Sequence, residues 1–315
     1  MKTNFNHYAI ATLTIVAFLS GSTAHGQAKV TRPDVPEKAC PVEVIEVPTR
    51  DKQKATAAVR KPPGKGPFPA VVLLHAGMGR KELERGVDGV KEEALRDQQS
   101  TRFLAAGYVT VNALRRGSKR DPQSPDSMAD CLAVVEAVKK KPEVDPKSVV
   151  IFGHSGGGSL AFELAAQTPL AAIVAGEPAT ILFTGMLTKD SPDQQTIMED
   201  PKRHYTAELQ GRTREKIAKI NCPILICQGD QHPINKVNNE VFIPELKKAG
   251  KKVEVITYPG QPHSFFFGSI ATGDAGRKVF DEAHAFFKKH LPTQPVPLES
   301  SLVKQVPLGR DRGED

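Results

Sequence analysis

Residues 149–162 read VVIFGHSGGGSLAF. The run VVIF is a continuous apolar stretch suited to a strand buried on both faces, and SLAFELAAQ beyond it has the composition of a helix. Between them Gly153-His154-Ser155-Gly156-Gly157 forms a G-x-S-x-G turn from strand to helix. The glycines let the chain reverse sharply and let strand and helix pack closely, while Ser155 takes the strained tip. Its hydroxyl then stands over the edge of a sheet, with the Gly156 amide and the positive end of a helix beneath it. A serine so placed is a candidate nucleophile.

Working outward, VEVIEVPT and KATAAVRKP alternate as an antiparallel pair, and the turn KPPGKGPFP leads into the buried strand AVVLLHAG. From there helix and strand alternate. Residues 80–106 are expected to form one helix ending at Gly107, followed by strand YVTVNAL, helix DSMADCLAVVEAVKKK and the elbow strand. Strands LAAIVAG, PILICQG and KVEVITYP follow, with helices NNEVFIPELKKAG and AGRKVFDEAHAFFKKH after the last two. The pattern implies an α/β fold with a mostly parallel sheet, helices on both faces and a ligand site at the carboxyl ends of the strands.

Two segments break the alternation. Residues 178–219, rich in Thr, Lys, Asp and Gln, interrupt the register between two strands and are expected to form a short lid-like insertion within a domain of residues 27–291. Residues 292–315, with three prolines early and a charged end, are expected to form a poorly ordered tail. At the other end Lys2, the apolar run from Ala9 to Leu19 and the small residues up to Ala24 and Gly26 have the layout of a signal peptide over residues 1–26. That run is much shorter than the roughly 20 residues that span a bilayer. A secreted or periplasmic protein with no membrane span after signal removal is expected.

The formal charge of +7 is spread along the chain and interleaved with acids, which argues against a nucleic-acid groove. Four cysteines are too few for a disulfide scaffold. Cys222 and Cys227 lie along one strand, roughly 16 Å apart when extended, and cannot bridge. Cys40 and Cys131 remain a candidate pair.

Ser155 needs a base, and in this context the acid and then the histidine follow the serine along the chain. His263, in the turn PGQPHSF after the last strand, fits that order; His75 and His154 precede the serine. The loop His75-Ala76-Gly77-Met78 is expected to supply an oxyanion donor beside Gly156, with Gly77 ranked before Met78. Arg115, Arg116 and Ser118 follow the second parallel strand, and Arg116 is the candidate for meeting a substrate carboxylate. His154 borders the serine and is a second candidate contact, although the elbow turns its side chain away from Ser155.

The motifs GHSGGGS, LLHAG, NALRRGS, QGDQHPIN and PGQPHSF, found in the chain between about Val42 and His290, resemble the α/β-hydrolase superfamily. The resemblance is to its dienelactone-hydrolase-like and prolyl-oligopeptidase-like branch. It implies an eight-stranded sheet and hydrolysis of an ester or related acyl bond of a small molecule, without a cofactor. Dienelactone hydrolases carry cysteine at the elbow, so Ser155 disfavours that chemistry. The short stretch ahead of LLHAG counts against a size-gated oligopeptidase, and esters are favoured over peptides.

The acid is where the chain departs from the family. In the usual turn the triad aspartate stands three residues after the glycine, but after Gly229 that residue is His232. Asp230 lies two residues early, and Glu177 ends the preceding strand, a position from which some members of the superfamily draw their acid. Glu177 ranks above Asp230, because Asp230 is also suited to capping its own turn. Asp230, His232 and His263 as a metal site is disfavoured, since the elbow already provides a nucleophile. Two further readings stay open: a non-catalytic binding protein with a triad spoiled at His232, and an aminopeptidase or dipeptidyl peptidase that would need Tyr205 and Glu208 to clamp a peptide amine.

Overall fold

A computed structural model describes residues 31–75, 80–116, 124–188, 190–263, 265–266 and 274–307. Gly77, Met78 and Ser118, the leader expected at residues 1–26 and the last eight residues of the chain lie outside them. Strand β1 (Thr31–Asp34) precedes β2 (Val42–Pro48), β3 (Lys54–Arg60) and β4 (Phe68–Leu74). Then come α1 (Arg80–Arg96), α2 (Gln98–Ala105), β5 (Val109–Leu114), α3 (Pro125–Lys139), β6 (Val144–His154), α4 (Gly156–Ala165) and β7 (Ala172–Gly176). The insertion carries α5 (Thr180–Phe183), α6 (Gln194–Glu199), α7 (Pro201–His204) and α8 (Ala207–Lys219). The chain continues through β8 (Ile224–Gly229), α9 (Ile234–Val237), α10 (Ile243–Lys248), β9 (Val253–Tyr258), α11 (Asp274–His290) and β10 (Lys304–Pro307).

Eight strands form one sheet in the order β2-β3-β5-β4-β6-β7-β8-β9. The β2–β3 and β3–β5 pairs are antiparallel and all others parallel. The chain runs outward from β4 to β5 on one side and from β6 to β9 on the other. The crevice where the direction reverses lies between β4 and β6, and Ser155 follows β6 there.

Alternation along the central strands divides the core between the two faces. Ala70, Val72, Leu74, Val149 and Ile151 belong to one apolar cluster with residues of α3 and α4. Val71, Leu73, Val150 and Phe152 belong to another with Phe103 of α2 and Val279, Phe286 and Phe287 of α11. Both faces are covered, which is why these strands read as unbroken apolar runs.

The structure corrects the sequence reading in three places. Residues 80–106 are not one helix: Gly86, at φ 53° and ψ −130°, kinks α1, and Asp97 sits in an extended conformation and caps α2, its Oδ1 accepting the Ser100 N–H at 2.7 Å. Part of the expected tail is bound: the Leu298 N–H donates to the Ala105 carbonyl at 2.9 Å, and β10 pairs antiparallel with β1. The hydroxyl of Thr293 also reaches Asp145 Oδ2 at 2.6 Å. Lastly, all four cysteines are free and buried; Cys40 packs with Val35 and Leu104 while Cys131 lies in the main core, so the candidate pair does not form.

The elbow depends on two missing side chains. A Cβ on Gly157 would run into the carbonyl oxygen of Leu74, and one on Gly153 into that of Gly157. Gly211, in contrast, is exposed within α8 with open space around it. Gly157→Ala should therefore destabilise the fold by about 3 kcal/mol, and Gly211→Ala should stabilise it by about 0.5–1 kcal/mol. Denaturant midpoints at unchanged slope measure both, and the opposite ranking would refute the close packing of α4 on β4.

Candidate active site

Ser155 has φ 50° and ψ −115°, a left-handed backbone that side chains rarely adopt. It is held there from both sides. Its N–H donates to the Gly176 carbonyl at 2.9 Å, and its carbonyl accepts from the Ser159 and Ala179 amides at 3.0 and 2.9 Å. The second of these bonds fixes the start of the insertion beside the serine. Gly156 opens α4, so its amide belongs to the first turn, which has no carbonyl four residues back to bond.

His263 arrives from the loop after β9, which is anchored by Phe265 and Phe266 in the second core cluster. Phe266 fills the space that a side chain at Gly176 would take, and its carbonyl accepts from Gln99 Nε2 at 2.9 Å. So held, His263 Nε2 lies 3.1 Å from Ser155 Oγ. The other ring nitrogen, Nδ1, lies 3.5 Å from Glu177 Oε2.

Glu177 leaves β7 with φ 42°, one of three non-glycine residues with positive φ among those described; Ser155 is another. Its side chain is fully buried, and Oε1 accepts the Gly229 N–H at 3.2 Å. The backbone N–H of Glu177 donates to Cys227 O at 2.7 Å. Strain at two neighbouring strand ends is kept only where the surroundings impose it, and here it aims two side chains at one imidazole.

Asp230 is turned elsewhere. It is exposed, and its Oδ1 accepts from the Gly260 N–H at 2.8 Å and from Gln231 Nε2 at 2.7 Å. With the Gln231 N–H donating to Gln261 O at 3.1 Å, the carboxylate ties the turn after β8 to the loop bearing His263. It supports the loop and does not face the imidazole. His232 lies against His263, ring centroids 4.4 Å apart, and its Nδ1 accepts the Ile234 N–H at 3.2 Å.

Both candidate substrate contacts are corrected. The Arg116 guanidinium is engaged by two carboxylates, with Nη2 on Asp130 Oδ1 at 2.6 Å and Nη1 on Asp51 Oδ2 at 2.7 Å. It joins β5 to α3 and to the β2–β3 turn. His154 is only 3% exposed, packed 5.2 Å from Phe266 and 5.3 Å from His263, so it faces the interior as the alternation at the elbow demands. Arg115 is buried and donates to the His75 carbonyl. The proposed amine clamp is also unsupported: exposed Glu208 pairs with Arg212 one turn along α8, and Tyr205 packs in the insertion's own cluster.

Among the described residues, two sets of donor side chains are compact enough to hold a metal ion, His154-Glu177-His263 and His75-Glu93-Asp97, the ligand atoms of each lying within 4.8 Å of one another. The first belongs to the constellation just described. In the second, His75 Nε2 sits 3.0 Å from Asp97 Oδ2 and 3.7 Å from Glu93 Oε1, and despite burial these carboxylates raise the basicity of His75. That group is an ion-paired cluster tying the end of β4 to α1 and α2. Asp230, placed as above, is not turned towards His263 to share an ion with it.

The eight-stranded sheet with a serine on a strained strand-to-helix turn is the α/β-hydrolase fold. An esterase of Pyrobaculum calidifontis has a similar structure, with a TM-score of 0.57 at 20% identity over 79% of this chain and 85% of that one. The chain belongs to the prolyl oligopeptidase family, whose model matches residues 98–294 and so takes in Ser155, Glu177 and His263. Among curated relatives, Esterase EstD of Thermotoga maritima is 22% identical over 70% of this chain and 62% of its own length. The 2,6-dihydropseudooxynicotine hydrolase of Paenarthrobacter nicotinovorans is 27% identical over 57% of this chain and 49% of its own. The chain spans less than two thirds of the length of these relatives.

Burial, and then the neighbouring His232, push His263 from its ordinary 6.5 down to about 4, so the imidazole is neutral at pH 7. Because the folded value lies below the unfolded one, the unfolded chain takes up this proton first. Stability tied to His263 is therefore full above about 6.5 and lost as pH falls towards 4. His263→Gln should flatten this part of the stability curve, measured by urea unfolding at several pH values; a curve of unchanged slope would contradict a neutral buried base.

Proposed function

We propose that this protein is an exported serine hydrolase that cleaves a carboxylic ester through an acyl-enzyme intermediate. The observation that carries the reading is the line from Ser155 Oγ to His263 Nε2 at 3.1 Å and from His263 Nδ1 to Glu177 Oε2 at 3.5 Å. A neutral imidazole beside the hydroxyl is the protonation state that a general base requires. In this scheme Ser155 Oγ attacks the carbonyl carbon while its proton passes to His263 Nε2. Buried Glu177 orients the ring and stabilises the imidazolium that forms. The tetrahedral intermediate collapses as His263 returns the proton to the departing alkoxide. Water then repeats the sequence against the acyl-serine, releasing the acid.

Gly156 is the proposed oxyanion donor from the elbow, and the second is assigned to Gly77 or Met78, outside the described residues. Removing one such donor typically costs about 10² to 10³ in rate. The insertion of residues 178–219 is proposed as the lid, because Ala179 is bonded to the Ser155 carbonyl and α5 packs against α4. Export rests on the leader-like sequence of residues 1–26.

An ester is favoured over a peptide because Tyr205 and Glu208 are engaged within the insertion and on α8. The binding-protein reading loses its basis, since it required a triad without an acid and Glu177 faces His263. The test is turnover of a short-chain nitrophenyl ester. Ser155→Ala should lower kcat by at least about 10⁴. Glu177→Gln should lower it by about 10² to 10⁴, and Asp230→Asn by less than about tenfold. Equal rates for wild type and Ser155→Ala would reject the mechanism, and a greater loss in Asp230→Asn than in Glu177→Gln would move the acid to Asp230.

A further inference from the structure

His263 is surrounded by four groups from three parts of the chain. Ser155 from the elbow meets Nε2, Glu177 from the end of β7 meets Nδ1, and the imidazoles of His154 from β6 and His232 from the turn after β8 pack against the ring. The two rings are tilted by 36° and 33° to His263, with centroids 5.3 and 4.4 Å away. His154 is wedged in turn against Phe266 at 5.2 Å. His232 is fixed by its own turn, because its Nδ1 accepts the Ile234 N–H and its carbonyl accepts from Asn235 at 3.1 Å. That bond leaves the proton of neutral His232 on Nε2.

We infer that His232 is a positioning residue for the reaction proposed above, holding the plane of His263 so that its two nitrogens meet Ser155 and Glu177 together. Once the acid is carried by β7, the place after β8 is free for a group that touches the ring's surface instead of its nitrogen. An imidazole suits that place twice over. It is flat, so it restricts tilting of His263, and it can become cationic, so it opposes a proton on His263 as pH falls. His154 is likewise neutral, its basicity lowered by burial and then by His263 and His75. Protonation of any ring in the group works against protonation of the others.

The experiment compares His232→Ala and His232→Phe with wild type in three readouts. These are the pH profile of kcat/KM on a nitrophenyl ester, the pH dependence of the rate at which a fluorophosphonate labels Ser155, and the NMR titration of the His263 ring. His232→Ala should lower kcat by about tenfold or more with little change in KM, since a small misplacement of a catalytic group is costly. His232→Phe, which restores a flat ring without charge, should recover most of that kcat. In both variants the acid limb and the His263 titration should move up from about 4 by the part of the shift that His232 causes, the larger part set by burial remaining. A wild-type kcat in His232→Ala, or an acid limb and titration that stay in place or move down, overturns the inference. If wild type neither turns over an ester nor labels, it is the proposed function that fails, and the His263 titration still decides whether His232 acts on the ring.

Discussion

The in-register parallel pairing of β6, β7 and β8 is the constraint on which the rest of the site depends. His154 pairs with Gly176, and Gly176 pairs with Cys227, so the three strands end on one rim. Ser155 and Glu177 are therefore the first residues beyond neighbouring strand ends, and backbone hydrogen bonds link them to the next strand: Ser155 to Gly176 and Glu177 to Cys227. Both have left-handed backbones, which turn their side chains out of the alternating strand pattern. A slip of one residue in this register would exchange core-facing and rim-facing positions along the strand and take the carboxylate from the imidazole.

Packing around this rim explains residues that have no part in the proposed chemistry. Phe266 occupies the space left by Gly176, which brings the His263 loop down onto β7. Asp230 bonds the Gly260 amide and so joins the turn after β8 to that loop. On the other side of the crevice, His75 is held at the end of β4 by Asp97, Glu93 and Arg115, and α4 begins where Gly157 rests on the Leu74 carbonyl. The insertion adds its own apolar cluster, where Ile181, Met186 and Ile197 meet Ile234 and Val237 of α9.

Much of this was legible in the sequence because the determining signals are local. The elbow lies within a short stretch of adjacent residues, unbroken apolar runs mark strands buried on both faces, and His263 follows a strand in a proline- and glycine-rich turn. Local signals ranked Glu177 above Asp230 without deciding between them, because the choice depends on which strand ends adjoin the imidazole, a matter of register between distant segments. A signal was present in Ala175-Gly176-Glu177-Pro178, where a carboxylate ends an apolar strand just before a proline. The break at Asp97 escaped because the imidazole that holds its carboxylate, His75, is distant in sequence, and the binding of residues 292–307 escaped because it rests on contacts with β1, Ala105 and Asp145, all far away along the chain. Arg116 was read towards the site for want of its two partners, Asp51 and Asp130.

The electrostatics follow from the same arrangement. A fully buried carboxylate is costly unless it is bonded, and Glu177 is satisfied by the Gly229 amide while facing His263. A neutral imidazole lies between that carboxylate and a hydroxyl on a strained turn, which is the combination that activates a serine. The most direct measurement is mass-spectrometric mapping of the protein after reaction with a fluorophosphonate. The account predicts a single adduct on the peptide containing Ser155, formed much more slowly in Glu177→Gln; no adduct on that peptide, or labelling indifferent to Glu177, would contradict it.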